Sequence, residues 1–186
     1  ALPLPDRPSV AVLPFTNLSD DREQEYFADG IVDDIITELS RFSELFVIAR
    51  NSAFTYKGKA VKVQEVSKEM GVRYVLEGSV RRADGQVRIT AQLIDATTGY
   101  HLWSERYDRE LKHVFAIQDE IARTIAATLN ITLTPKESMA IGKAPTMNLQ
   151  AYDFYLRGRQ YYNQYKRKGI ELALIMFSRA IEHDPA

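Results

Sequence analysis

Cysteine is absent from all 186 residues, which excludes disulfides, thiolate metal sites and cysteine nucleophiles. The absence suits an oxidising compartment, but reduced proteins lack cysteine too, so it leaves location open. No run of about 18 apolar residues occurs, so no membrane-spanning helix is expected in this stretch. The start, Ala1-Leu2-Pro3-Leu4-Pro5, has neither the charged beginning nor the apolar core of a signal peptide. It has no initiator methionine either, and the chain reads as a piece of a longer protein. An excess of one charge is also missing: 24 Lys and Arg stand against 25 Asp and Glu, for a formal net charge of -1. That balance gives no general attraction to nucleic acid or to anionic lipid. Phosphate loops need several glycines in the first βα turn, where this chain has Asn17-Leu18-Ser19-Asp20. No G-x-S-x-G elbow is present for a hydrolase.

What is present begins with the stretch from Arg73 to Arg109, which reads as an antiparallel meander of three strands. Tyr74, Leu76, Gly78 and Val80 alternate with Arg73, Glu77, Ser79 and Arg81, with Val75 the exception. Val87, Ile89, Ala91 and Leu93 then alternate with Arg88, Thr90 and Gln92. In the third strand Tyr100 and Leu102 oppose His101, Trp103 and Tyr107, so both of its faces are expected to meet apolar neighbours. Asp84-Gly85 and Thr98-Gly99 mark the reversals, where tight hairpins demand positive φ.

Upstream, ALPLPDRP is a proline-rich extended linker over residues 1–8. Ser9 to Leu13 is a short apolar run, expected as a strand buried on both faces and ended by Pro14. From about Glu23, Phe27, Ile31, Val32, Ile35, Ile36, Leu39 and Phe42 recur at helical spacing for about five turns, with Gly30 a weak point costing roughly 1 kcal/mol relative to alanine. Leu45 to Ala49 reads as a second buried strand, so strand, helix and strand form a βαβ unit with parallel strands. A basic loop follows, then a short helix marked by Val63, Val66 and Met70 and capped by Gly71. After the meander, Val114, Ile117, Ile121, Ile125 and Leu129 place a long helix over Leu111 to about Leu133. The fold class expected is α/β (α+β): a mixed sheet with a βαβ start and an antiparallel meander covered by helices, over 9–134. Residues 135–148, with Pro135, Gly142 and Pro145, read as a linker, and 149–186 as an all-α helical hairpin with a basic turn at Lys166-Arg167-Lys168-Gly169.

Few side chains are candidates for chemistry. Asp29, Asp33 and Asp34 cluster as conceivable metal ligands or an acid–base pair, but they lie on a helix with a defined apolar face. Asp33 and Asp34 also point about 100° apart, so a solvated helix face is expected. His101, His113 and His183 are far apart, at no spacing that suits a metal. Catalytic, cofactor-binding and metal residues are therefore none, and no cofactor is expected. The basic groups at Lys57, Lys59 and Lys62, at Arg81, Arg82 and Arg88, and at Lys166 to Lys168 could with Tyr56, Tyr74 and Trp103 face nucleic acid. The charge balance and the habit of placing such residues at turns and sheet edges weigh against it. Tyr152, Tyr155, Tyr161, Tyr162 and Tyr165 could line a peptide groove; helical spacing favours packing instead.

Two resemblances extend this reading. Residues 149–186 resemble a tetratricopeptide unit, with Gly158 and Tyr161 at the small and aromatic positions of the first helix and with Ala173, Phe177, Ala180 and Pro185 at the family spacing. One such unit cannot bury both faces, so further repeats are implied. Residues from about 8 to 133 resemble the TolB amino-terminal-like domain, through VAVLPFTNLSDDREQEYFADGIVDDIITELSR, LFVIARNSAFTYKGK, GVRYVLEGSVRR and LIDATTGYHLWSERYDRE. That resemblance implies a place downstream of a class III adenylate or guanylate cyclase domain, or of a winged-helix regulator, and upstream of tetratricopeptide repeats. It implies a membrane-anchored parent with this region on the periplasmic side, the cytoplasmic side being the alternative. The function implied is a non-catalytic sensory or protein-interaction module that binds a protein or peptide through its repeats, without nucleic acid and with homo-oligomers conceivable. A small-ligand or nucleotide-binding regulatory domain and a structural spacer are the alternatives.

Overall fold

A computed structural model describes residues 3–143 and 146–185. The parts of the linker and repeat readings that fall on Ala1, Leu2, Ala144, Pro145 and Ala186 lie outside them. Strand β1 (Ser9–Val12) is buried throughout, as its unbroken apolar run predicts. A two-residue strand, β2 (Thr16–Asn17), follows Pro14. Helix α1 (Glu25–Leu39) turns Phe27, Ile31, Val32, Ile35 and Leu39 into the core, and Phe42 is buried just beyond its end.

The second expected strand is the first correction. Strand β3 is only Phe46–Val47, with Phe46 48% exposed. It lies at the rim of the sheet because its one neighbour is β1, parallel, with Ser9 opposite Phe46. The βαβ unit exists, but its second strand is an edge. Helices α2 (Arg50–Ala53) and α3 (Val63–Met70) come next, and Gly71 ends α3 at φ 65 with its N–H on Ser67 O at 2.9 Å.

Strands β4 (Tyr74–Ala83), β5 (Gln86–Asp95) and β6 (Tyr100–Glu110) form the meander. Asp84 and Gly85 both take positive φ, 50 and 75, as a two-residue type I′ reversal requires. The sheet runs β3-β1-β4-β5-β6, with β2 parallel to the far half of β4. Val75, out of step with the alternation, is buried on the opposite face with Ala11, Leu13, Val66 and Val72, under α3. In β6 only one face meets the core. Tyr107 is buried, whereas Tyr100 is 75% and Leu102 44% exposed; a register shift between Leu93 and Ile94 leaves Leu102 without a partner on β5.

Helix α4 (Val114–Thr128) closes the core with Ile117, Ile121 and Ile125, each fully buried and each contributing about 2–3 kcal/mol by area. It is shorter than the expected span to Leu133. Asn130 turns left-handed at φ 54, and Ile131 N–H reaches back to Ala126 O at 2.8 Å, so a Schellman cap folds Ile131 onto the core. The stretch read as a linker holds helix α5 (Pro135–Ala140), capped reciprocally by Thr134 and Glu137, with Ile141 buried after it. Helices α6 (Leu149–Tyr162) and α7 (Arg167–His183) form the hairpin. They approach closely: a Cβ on Gly158 would stand 2.5 Å from the Phe177 ring. Among the described residues no helix is long and apolar enough to cross a membrane.

Candidate functional site

The aspartate cluster is not solvated. Asp29 and Asp33 are 9% and 4% exposed, because α2 and the loop after it cover α1 from one side and α6 covers it from another. Lys57 Nζ stands 2.5 Å from Asp29 Oδ2. Asp33 takes Arg50 at 2.5 Å and Arg159 of α6 at 2.9 Å. Tyr152 OH donates to Asp34 Oδ2 at 2.5 Å, and Gln118 Nε2 of α4 donates to the same oxygen at 3.1 Å. Burial pushes all three carboxyls above the ordinary aspartate range. Lys57 at Asp29, Arg159 and Arg50 at Asp33, and Tyr152 and Gln118 at Asp34 oppose that rise.

A second polar knot lies at the start of α6. Tyr26 OH donates to Asp153 Oδ1 at 2.6 Å, Arg82 of β4 donates to it at 2.9 Å, and Arg157 donates to Asp153 Oδ2 at 2.9 Å. Burial works against ionisation of Asp153, but these three donors hold it below the usual carboxylate range. The Tyr26 hydroxyl is pushed up to about 12 by burial and by Asp153. Between the two knots Leu156 sits against Gly30, whose absent Cβ would fall 2.5 Å from Leu156 Cδ2. The hairpin is thus fastened to the α/β body by a seam of paired charges around an apolar contact.

The other candidates disperse. His101 and His113 are exposed, and His183 stacks on Phe154 with ring centroids 5.3 Å apart. Among the described residues no group of His, Cys, Asp or Glu is placed to hold a metal ion. Lys57 and Arg82 belong to the seam, Arg88 pairs with Asp108 at 2.5 Å, and Arg167 with Glu171 at 3.4 Å. Of the tyrosines, Tyr152 is buried in the seam and Tyr155 packs against the core, while Tyr162 and Tyr165 are 50% and 67% exposed. Arg50, Arg159 and Asp153 were not singled out in the sequence; the signal that could have found them is a glycine on the buried side of α1, where another helix must come close.

Two further surfaces stand open among the described residues. A cleft of about 610 Å³ lies beyond the end of β1, with Leu13, Pro14 and Lys59 along its wall and Glu77, Ser79 and Gln92 on its floor. It stands where β1 has parallel neighbours on both sides, reached by connections packed on opposite faces, the place where open α/β sheets take ligands. The other surface is α7, which turns Ile170, Leu174, Ile175 and Ile181 to solvent.

Comparison with known proteins gives the following. Residues 6–124 match the family model described as HilA/YgeH-like transcriptional regulator, second domain. A protein named "Putative adenylate cyclase 3" from Rhizobium meliloti (strain 1021) is 54% identical over 182 residues, 98% of this chain and 31% of that protein. The chain therefore spans about a third of the length of the curated relative it matches. Among solved structures, TolB from Acinetobacter baumannii gives a TM-score of 0.51 at 18% identity, over 68% of this chain and 29% of its own. Lipoprotein GNA1162 from Neisseria meningitidis gives 0.49 at 19% identity, over 64% and 99%. The likeness to TolB shows a TolB-like α+β fold.

Proposed function

The chain belongs to the family of HilA/YgeH-like transcriptional regulator second domains, and on that premise we propose that it is a non-catalytic sensory or protein-interaction module of a bacterial signalling protein. In this reading it follows an adenylate cyclase-type catalytic domain in its parent, which the name and greater length of its Rhizobium relative support. The units are an α/β platform over 9–134 and a first tetratricopeptide-like repeat over 149–186. By the resemblance to the TolB amino-terminal-like domain, the module stands on the periplasmic side of the inner membrane.

The observation that carries the reading is α7. Its inner face closes on α6 through Ala173 and Phe177, while Ile170, Leu174 and Ile181 are 45%, 62% and 63% exposed. Their spacing puts them on one stripe, and such a stripe marks a surface that takes protein. The seam holds α6 to the α/β body, so the stripe is presented at a fixed angle. The test is a photo-crosslinking residue placed at Leu174, or at Arg81 as control, in cells that make the parent. An adduct to a separate protein is expected from Leu174 and not from Arg81. No adduct from Leu174 to another protein would overturn the reading in favour of a spacer.

The cleft beside β1 favours a second reading, a small-ligand regulatory domain, because its volume and half-buried polar floor suit a small molecule. A ligand seated there would raise the melting temperature by mass action.

A further inference from the structure

Strand β6 ends the sheet: among the described residues it pairs with β5 and with no other strand. Leu111 N donates to Gly85 O at 2.8 Å. Antiparallel ladders alternate, and the register sets Val87 against Arg109, Ile89 against Tyr107 and Ala91 against Glu105. The backbone amides of Arg109, Tyr107 and Glu105 therefore turn towards β5. Those of Ser104, Arg106, Asp108 and Glu110 turn outwards, and all four of these residues are exposed. Among the described residues these N–H groups have no strand across from them, and Asp108 O accepts only the movable Arg109 Nη1, at 3.1 Å; such a strip is a template for another strand, and its side chains decide which strand it accepts.

We propose that it accepts β6 of a second copy, laid antiparallel about a two-fold axis through Tyr107. In such a pair, opposite residues point to the same face and interact directly, so the axis must pass through a residue. An axis through Glu105 or Asp108 sets like carboxylates face to face, and one through Arg106 or Arg109 sets like guanidiniums face to face. With Tyr107 on the axis, Arg106 lies opposite the partner's Asp108 and Glu105 opposite the partner's Arg109, each twice by symmetry. This axis also opposes the outward amides of Arg106 and Asp108, as a hydrogen-bonded pair requires. Within one chain Asp108 already gathers Arg88 at 2.5 Å and Arg106 at 3.1 Å, so charge is concentrated where the second strand arrives. The register shift between Leu93 and Ile94 ends the regular edge before Leu102. Pairing runs from Trp103 to Leu111, and the charges along it turn away apolar strands while matching their own copy.

The test is sedimentation equilibrium of the 186-residue chain from about 10 µM to about 1 mM, with Glu105→Arg and Arg109→Glu as single variants. Glu105 and Arg109 lie four residues apart along one extended strand, so they meet across the axis and not within a chain. The chain is expected to dimerise, and each single variant to dimerise at least about tenfold more weakly because like charges then face each other twice. An equimolar mixture of the two variants should recover the dimer, since the arginine at 105 then meets the glutamate at 109 while the native pair forms at the other end. Circular dichroism confirms that each variant is folded. A chain that stays monomeric throughout the range, variants that dimerise as well as the original, or a mixture that does not recover would each overturn the proposal.

Discussion

Asp33 holds two guanidiniums, Arg50 from α2 and Arg159 from α6, with its own side chain 5% exposed. Removing its charge leaves both partners facing a neutral group in a half-desolvated seam. Asp33→Asn is expected to lose about 3 kcal/mol, read as a lower urea midpoint at unchanged slope. A loss below about 1 kcal/mol would mean that solvent screens the seam like a surface pair. Glu137 is the opposite case, an exposed carboxylate set by geometry. It accepts the backbone N–H groups of Ser43 at 2.8 Å and Thr134 at 2.7 Å, and these bonds hold its pKa at about 2 against an ordinary 4.5. A depressed carboxylate stabilises the fold above its unfolded value and loses that contribution as pH falls through its folded value. Melting temperature should therefore fall as pH drops from 4.5 towards 2, and Glu137→Gln should flatten that part of the profile.

The approach of α6 to α1 is decided at Gly30. Helix propensity alone predicts that Gly30→Ala stabilises by about 1 kcal/mol. The new Cβ would meet Leu156 at 2.5 Å, in a side chain with 2% exposure, and overpacking costs about 1–3 kcal/mol. Gly30→Ala is therefore expected to lower the melting temperature; a rise would show that α6 yields. The same position shows where the sequence stops being legible. Period and turn chemistry made β1, α1, the three meander strands and α4 readable, because each depends on residues close along the chain. The burial of Asp29, Asp33 and Asp34 was not readable, since their partners Lys57, Arg50, Arg159 and Tyr152 lie 17 or more residues away in sequence. Leu45 to Ala49 misled for a related reason: an apolar run at a sheet edge looks like one at the centre until the strand order is known. α5 went unseen because six residues are too few for a period, although Thr134-Pro135 and Glu137 spell its cap.

At the scale of the molecule, an α/β body and a helical hairpin act as one unit that leaves the apolar stripe of α7 facing solvent. The cleft beside β1 reaches Ser104 of β6, so cleft and open edge adjoin on the same sheet away from α7, and one platform can present several surfaces at fixed angles. That rests on the seam being as firm as the body it joins. The measurement that tests it most directly is amide hydrogen exchange across the chain, with and without Asp33→Asn. The account predicts that the buried amides of α6 exchange as slowly as those of α1 in the original chain, and that in the variant α6 and α7 lose protection together while the meander keeps it. Fast exchange throughout α6 and α7 beside a protected α1 would contradict it, because the hairpin would then swing free and α7 would have no fixed orientation to offer.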